Sequence, residues 1–111
     1  MSWSMRPIPE AQRDMRRLDG SVAPIVRKAM AKIRKNPLPT NEGGLGKPLG
    51  NHAGSKLSGL LKVKLKAQGI RIVYRADKER LVVLVVVVGD RADEEVYRIA
   101  AQRVAKYPEL I

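Results

Sequence analysis

A set of basic side chains and one tyrosine in the second half of the chain could act together on a phosphodiester. Lysines and arginines would hold the phosphate and offset the charge of a pentacoordinate transition state. Crowded positive charge favours a neutral amine or a phenolate, so a lysine or tyrosine could take the proton of a ribose 2′-OH while an arginine assists the leaving 5′-oxygen. A basic strand face without chemistry is the alternative. The set consists of Lys62, Lys64, Lys66, Arg71, Arg91 and Tyr97.

Apolar residues between these side chains predict the sheet that positions them. Residues 62–66 alternate between lysine and an apolar residue, which is typical of a strand with one charged and one apolar face. Residues 70–75 are predicted to return as a second strand, and residues 81–88, all Leu or Val, as a central strand buried on both faces. The three strands form an antiparallel meander. Its turns are predicted at residues 67–69 and 77–79.

Helical spacing of apolar residues predicts two helices before the meander and one after it. The first covers residues 10–18 with Pro9 in its first turn, and the second is capped by Ser21 and ends at Asn36. Asp93 is predicted to cap the last helix, whose first turn carries Tyr97. The apolar face of the second helix is predicted to contain Val22, Ile25, Val26, Ala29, Met30 and Ile33.

Together these elements predict one α+β domain over residues 1–111. Residues 3–8 add a short edge strand limited by prolines. The predicted fold is a small antiparallel sheet, built from the meander and this N-terminal strand, with an N-terminal αα-hairpin and a C-terminal helix. Residues 38–58 form a long Gly- and Pro-rich segment that can bear function, and His52 within it is interpreted as an exposed loop histidine.

Charge indicates a polyanionic partner. Lys and Arg number 22 against 11 Asp and Glu, which gives a formal net charge of +11. Residues 56–80 contain eight basic side chains and two acids, so Lys56, Lys66 and Arg75 are candidate phosphate contacts. The candidate catalytic residues are the other five of the set, Lys62, Lys64, Arg71, Arg91 and Tyr97. Nucleic acid is the first candidate partner and an acidic protein the second.

Several classes of site and location are excluded by composition. The chain has no Cys and one His, which rules out disulfides, thiolate chemistry and a zinc site. It contains no P-loop or dinucleotide-binding fingerprint, so no cofactor is expected. The N-terminus lacks the apolar core of a secretory signal, and no apolar run approaches the roughly 20 residues of a spanning helix. These features predict a cytoplasmic protein without a membrane partner.

Four short motifs follow one another in the second half of the chain. They are Lys62-Val63-Lys64-Leu65, Gly69-x-Arg71-x-Val73-Tyr74, Val88-Gly89-x-Arg91 and Glu95-Val96-Tyr97. In this order they resemble the RelE branch of the RelE/ParE toxin superfamily from about residue 61 to residue 104. The resemblance implies an antiparallel sheet with two N-terminal helices and a C-terminal helix, and an mRNA interferase that cleaves the codon in the ribosomal A site.

The same resemblance implies roles for individual residues. Lys62 or Tyr97 would be the general base, and the choice stays open. Arg91 would be the acid or would stabilise the leaving group, and Lys64 with Arg71 would hold the phosphate. Asp90, directly before Arg91, departs from the family pattern and would partly neutralise the site. The long segment at residues 38–58 is a second departure.

Partners are also implied by the family. A RelB-like antitoxin would wrap the toxin, and operator DNA would be bound only through the toxin–antitoxin complex. Ribosome and mRNA would be the substrate assembly. Two rival functions remain: a ParE-like inhibitor of DNA gyrase, and a basic RNA- or ribosome-binding protein without catalysis. Retention of the full Lys, Arg and Tyr set argues against the ParE-like function, and scarce aromatic residues argue against a general single-strand binder.

Overall fold

A computed structural model describes residues 3–50, 57 and 59–107 of the chain. Helices and strands follow one another as the sequence predicts, with one additional short strand. Those elements, in chain order, are β1 Ser4–Pro7, α1 Pro9–Arg16, α2 Ala23–Lys35, β2 Lys47–Pro48, β3 Leu60–Leu65, β4 Ile70–Asp77, β5 Val82–Gly89 and α3 Asp93–Val104. The predicted α+β class is confirmed.

All strands of the described chain join one five-stranded sheet in the order β1-β5-β4-β3-β2. The predicted meander is confirmed, because β3 pairs antiparallel with β4 and β4 antiparallel with β5. The predicted N-terminal edge strand is also present, and it pairs parallel with β5. The sheet is therefore mixed. A register shift after Val73 bends the β4–β5 ladder.

Two boundaries of the meander differ from the sequence prediction. Strand β3 ends at Leu65, and Lys66 belongs to the turn, where Gly69 adopts a φ of +68° that suits glycine. Leu81 also lies in a turn, with a φ of +56°, so β5 begins one residue later than its apolar run. An apolar run shows which residues avoid water, but the turn geometry decides where the ladder starts.

Strand β5 forms the centre of the core. Val83 and residues 85–88 are buried, while Leu84 is half-buried on the open part of the sheet. Each fully buried valine of this kind contributes about 1.5–3 kcal/mol relative to an exposed one. The predicted burial of the strand on both faces is thus confirmed for most of its length.

Helix α2 and the segment after it cover one face of the sheet. Val26, Met30 and Ile33 are buried as predicted, but Ile25 is exposed, so the apolar face is narrower than its spacing suggests. The predicted Ser21 cap is wrong, because Val22 is the N-cap residue and Ser21 instead donates to Asp19. The predicted end at Asn36 is confirmed.

Residues 38–50 contain structure that the sequence does not predict. A short 3-10 helix, Thr40–Glu42, leads to β2, which pairs with β3. Gly46 lies so close to the Tyr74 hydroxyl and Leu61 that an added Cβ would stand 2.3 Å from the Tyr74 oxygen. The buried Tyr74 hydroxyl donates to the carbonyl of Pro37. His52 lies outside the described residues.

Helix α3 lies over the opposite face, since Asp93 and Tyr97 contact side chains of β3 and β4 on that face. The N-cap residue is Ala92, not the predicted Asp93. This frees the Asp93 carboxylate from capping. In the described part of the chain, no helix is long and apolar enough to cross a membrane.

Beyond its pairing with β1, the last part of β5 forms its backbone hydrogen bonds with side chains on that edge. Pro7 pairs with Val85, and no strand of the described residues pairs with the rest of β5 on that side. Arg103 Nη1 donates to the carbonyl of Val86 at 3.0 Å, and the Val88 N–H donates to Asp14 Oδ2 at 3.0 Å. Arg103 and Asp14 also bond each other at 2.6 Å. Helices α1 and α3 are thereby tied to the same strand.

Candidate active site

Cross-strand pairing brings the predicted cations to one face of the sheet. Lys64 of β3 lies directly opposite Arg71 of β4, and Lys62 lies opposite Val73. Residues directly opposite each other share a face, and alternate residues along a strand do so too. Lys62, Lys64 and Arg71 therefore face α3 together. The side chains of Lys62 and Arg71 are only 11% and 13% exposed.

Lys62 and Tyr97 are joined by a hydrogen bond. The Lys62 ammonium donates to the Tyr97 hydroxyl at 2.6 Å and lies 5.2 Å from the centre of its ring. This contact places a positive charge beside the phenolic oxygen and near the face of the ring. The two candidates for the general base thus contact each other, Tyr97 from one turn into α3 and Lys62 from the middle of β3.

Asp93 completes the cluster. Its Oδ1 accepts a hydrogen bond from Arg71 Nε, and its Oδ2 lies 3.4 Å from the Lys62 ammonium. Tyr97 is four residues further along α3 and therefore on the same side of the helix. The hydrogen bond from Arg71 lowers the pKa of Asp93 below its ordinary value, and the charge of Lys62 acts in the same direction. Asp93 is thus a carboxylate held between two cations.

Arg91 stands at the edge of this cluster. Its carbonyl accepts a hydrogen bond from Arg71 Nη1 at 2.6 Å. Its guanidinium is about half exposed and donates instead to Glu95 Oε1 at 2.6 Å. An exposed pair of this type is worth only about 0.2–1 kcal/mol, so the side chain can reorient at small cost.

The remaining predicted phosphate contacts are dispersed. Lys66 is exposed in the β3–β4 turn, and Lys56 lies outside the described residues. Arg75 is on the same face as Lys62, further along β4. It lines a cavity of about 340 Å³ with Arg6 and Arg80. Of these three, Arg75 is the residue that extends the positive face beyond the cluster.

The other tyrosines have different roles. Burial raises the pKa of Tyr74 to about 12, and its hydroxyl is bonded to the backbone. Tyr107 donates to Glu10 at 2.7 Å, and this hydrogen bond raises the pKa of Tyr107. Neither phenol lies beside Lys62. Tyr97 is therefore the phenol that the fold places among the cations.

Sequence reasoning finds the cations but misses the carboxylate. The sequence assigns Asp93 to a helix cap, because an acidic residue before an apolar run is a common capping signal. Its partners, Lys62 and Arg71, are 31 and 22 residues away in the chain, beyond the reach of helical or strand periodicity. Among residues 3–50, 57 and 59–107, no group of three His, Cys, Asp or Glu side chains could hold a metal ion.

The chemistry available to the cluster follows from these contacts. Lys62, Lys64 and Arg71 can hold the non-bridging oxygens of a phosphodiester, and Tyr97 carries a hydroxyl beside them. These groups suit acid–base chemistry at a phosphate. Lys62 donates a hydrogen bond to the Tyr97 hydroxyl in this arrangement.

Comparisons with known proteins agree with this fold. A RelE-like toxin protein of Escherichia coli is 29% identical over 107 residues, which cover 93% of this chain and 98% of that protein. The mRNA interferase toxin RelE of E. coli K12 is 29% identical over 97 residues, covering 85% of this chain and 88% of the toxin. No protein-family model matches the chain.

Solved structures of RelE toxins are also similar to this chain. A mutant of the E. coli toxin RelE in its free state superimposes with a TM-score of 0.69 at 26% identity, covering 94% of this chain and 99% of that one. A chain of the Mycobacterium tuberculosis toxin–antitoxin complex RelBE2 superimposes with a TM-score of 0.65 at 28% identity, covering 84% of this chain and 95% of that one. The similarity extends over nearly the whole length in sequence and in structure, and it supports a place for this protein in the RelE-like toxin superfamily.

Proposed function

We propose that this protein is the toxin of a type II toxin–antitoxin pair and acts as an mRNA interferase on codons in the ribosomal A site. The observation that carries the proposal is the contact of Lys62 with Tyr97, beside Arg71, on a face of the sheet that also presents Lys64. Similarity to an mRNA interferase toxin supports the same activity. The ribosome, which is found in the cytoplasm, would supply the bound mRNA.

Cleavage begins with the ribose 2′-OH. Tyr97 in its phenolate form takes the 2′ proton, and the 2′-oxygen attacks the neighbouring phosphorus. The Lys62 ammonium stabilises the phenolate before this transfer, because it lies 2.6 Å from the phenolic oxygen. Lys62 serves as a cation in this step, and Tyr97 as the base.

The transition state carries additional negative charge on the phosphoryl oxygens. Lys64 and Arg71 hold these oxygens, and the planar guanidinium of Arg71 suits a two-point contact. The bond from phosphorus to the 5′-oxygen then breaks, which leaves a 2′,3′-cyclic phosphate and a 5′-hydroxyl. Protein side chains and water supply every group that this reaction uses.

Arg91 stabilises the departing 5′-oxygen. Its guanidinium keeps its protons, so it donates a hydrogen bond and the proton itself comes from water. To reach the substrate, the side chain must leave Glu95, and the small value of that exposed pair permits this. Arg75 would contact the RNA backbone further along the same face.

A RelB-like antitoxin is the expected protein partner. A homologous chain occurs in a toxin–antitoxin complex from M. tuberculosis. A formal net charge of +11 suits an acidic antitoxin segment as well as RNA. Operator DNA would be bound only through the antitoxin, in the complex that it forms with this protein.

Primer extension on an mRNA in a reconstituted translation reaction tests the proposal. We expect cuts within codons when both ribosomes and the protein are present, and no cuts when ribosomes are omitted. Arg91→Ala should reduce the cleavage rate by about 10²-fold or more, because the charge on the leaving oxygen is then unopposed.

The matched control is Arg98→Ala. Arg98 is an exposed arginine of α3 whose guanidinium lies 4.0 Å from Glu95, outside the cluster. This variant should cleave like the wild type. Intact mRNA in the presence of folded wild-type protein contradicts the proposal, and inhibition of DNA gyrase would then be measured with the same preparation.

A further inference from the structure

Asp93 occupies the position that a substrate phosphate would need. Its two oxygens contact different cations, with Arg71 at Oδ1 and Lys62 at Oδ2. A phosphodiester would present its two non-bridging oxygens to the same pair. Both anions carry one negative charge, and both accept hydrogen bonds from lysine and arginine.

We propose that Asp93 is an internal competitor of the substrate phosphate, which holds Lys62 and Arg71 in the free protein and must release them when RNA binds. This inference rests on the proposed function for the identity of the ligand. It assigns to Asp93 an effect opposite in sign to that of the cations, since the carboxylate opposes RNA binding while Lys62 and Arg71 favour it.

Exposure of the three side chains supports exchange from the solvent side. The Asp93 side chain is 40% exposed, whereas Lys62 and Arg71 are 11% and 13% exposed. The cations are therefore fixed in the sheet and the anion stands at the outer rim. An RNA phosphate can approach from solvent and replace the carboxylate without moving either strand.

Electrostatics explains why the free protein needs such an anion. Lys62 and Arg71 lie on one face at low exposure, with the exposed Lys64 beside them, and like charges at low exposure repel each other strongly. Asp93 relieves this repulsion until a phosphate takes its place. Loss of the carboxylate should therefore make the empty site less stable and at the same time bind RNA more tightly.

This pair of effects separates the proposal from a purely structural ion pair. If Asp93 only held α3 on the sheet, its removal would lower both stability and RNA affinity. If it competes with phosphate, stability falls and affinity rises. The two properties can be measured on the same variant.

Asp93→Asn and Glu94→Gln form a matched pair for the test. Both remove one negative charge from the first turn of α3 and keep the side-chain shape. Glu94 is exposed and takes part in none of the ion pairs found among residues 3–50, 57 and 59–107. The difference between the two variants therefore reports the contact of Asp93 with the cations and not the general gain in charge.

The probe is a short single-stranded RNA with 2′-O-methyl groups on every ribose, which lacks the nucleophile for cleavage. Its affinity for each protein is measured by fluorescence anisotropy at one fixed salt concentration. We expect Asp93→Asn to bind about 5–20-fold more tightly than Glu94→Gln, as one close charge contact can supply. Equal affinities, or weaker binding by Asp93→Asn, would overturn the proposal.

A second measurement uses the wild-type protein and does not depend on how the variant folds. The Arg71 Nε–H resonance is followed by NMR while the same RNA is added. Exchange of the carboxylate for a phosphate should shift this resonance to a new value at saturation. An unchanged resonance at saturating RNA would overturn the proposal.

Failure of this inference can be told apart from failure of the proposed function. If mRNA on ribosomes is cleaved but the two variants bind RNA equally, the function stands and the competition by Asp93 is wrong. If no cleavage occurs but Asp93→Asn binds RNA more tightly, Asp93 competes with phosphate on a site that does not perform the proposed reaction.

Discussion

The two ends of helix α3 carry ion pairs of the same chemical type in opposite arrangements. At the C-terminal end, the Asp14 carboxylate accepts hydrogen bonds from both terminal nitrogens of Arg103, at 2.6 and 3.1 Å. Backbone groups of Val86 and Val88 complete the hydrogen bonding of this pair. At the N-terminal end, one carboxylate, Asp93, is shared between Lys62 and Arg71, and Lys64 shares their face of the sheet.

The solvent exposure of the acidic side chains also differs between the two ends of α3. The Asp14 and Arg103 side chains are 13% and 18% exposed, whereas Asp93 is 40% exposed. A satisfied pair that also bonds the backbone fixes a helix to a strand. A cation cluster with too few acids, closed by an anion at the rim, is instead suited to exchange that anion for a ligand. The contrast indicates that the C-terminal end of α3 is fixed to the fold, and the proposed function assigns the N-terminal end to the substrate.

The largest effect is expected from changes at the N-terminal end that alter the reaction and leave the fold intact. Tyr97→Phe should reduce the rate of mRNA cleavage by about 10²–10⁴-fold, because the general base is lost. Lys62→Ala should cause a similar loss, since the phenolate is no longer stabilised. Single-turnover cleavage in the reconstituted translation reaction measures both rates.

Lys62→Arg is the control that separates the two candidate bases. A guanidinium keeps its charge but cannot accept a proton at neutral pH. If Lys62 acts as a cation, this variant should retain more activity than Lys62→Ala. An inactive Lys62→Arg beside an active Tyr97→Phe would make Lys62 the base and leave Tyr97 without that role.

A change at the C-terminal end should act on stability. Asp14→Asn leaves the charge of Arg103 largely buried without its acid and should lower the free energy of unfolding by about 3 kcal/mol. Urea unfolding followed by circular dichroism gives this value. Cleavage activity of the folded fraction should stay close to that of the wild type.

Glu42→Gln provides the matched control. Glu42 pairs with Lys78 at 2.6 Å, but the side chains are 40% and 60% exposed. Loss of such a pair should cost less than about 1 kcal/mol. If Asp14→Asn and Glu42→Gln were equally stable, the C-terminal pair would not be the anchor that its geometry indicates.

Sequence reasoning succeeds for the cations at the N-terminal end of α3 and fails for the other end. Lys62, Lys64 and Arg71 could be placed on one face because strand alternation and a short turn are local properties. The pair of Asp14 with Arg103 joins residues 89 positions apart, and no periodicity connects them. Contacts of this kind are decided by how helices settle on the sheet, which a single sequence does not specify.

The boundaries of the strands show the same limit of prediction from sequence. The apolar run that begins at Leu81 predicts a strand from its first residue, but Leu81 turns with a positive φ and β5 starts at Val82. Strand β2 escapes prediction because its Lys47 and Pro48 have no strand propensity, and it is the edge of β3 that imposes the pairing. Local pattern determines which elements exist, while tertiary contacts determine where they begin and whether a loop joins the sheet.

The smallest effect is expected from acid titration of Asp93, whose contribution to stability depends on pH. The pKa of Asp93 is lowered from its ordinary value of 3.8, mainly by the hydrogen bond from Arg71, so its stabilisation is complete above that value and is lost as the pH falls through the lower, folded-state pKa. Wild type should therefore exceed Asp93→Asn in free energy of unfolding near pH 6 by under about 1 kcal/mol, and this excess should shrink as the pH falls below 3.8 and vanish once the pH is below the folded-state pKa. Urea unfolding of both proteins across this pH range measures the excess. In an Arg71→Gln background the same substitution should show a smaller pH dependence, since the main cause of the shift is gone, and an unchanged pH dependence there would mean that another group holds the Asp93 carboxylate.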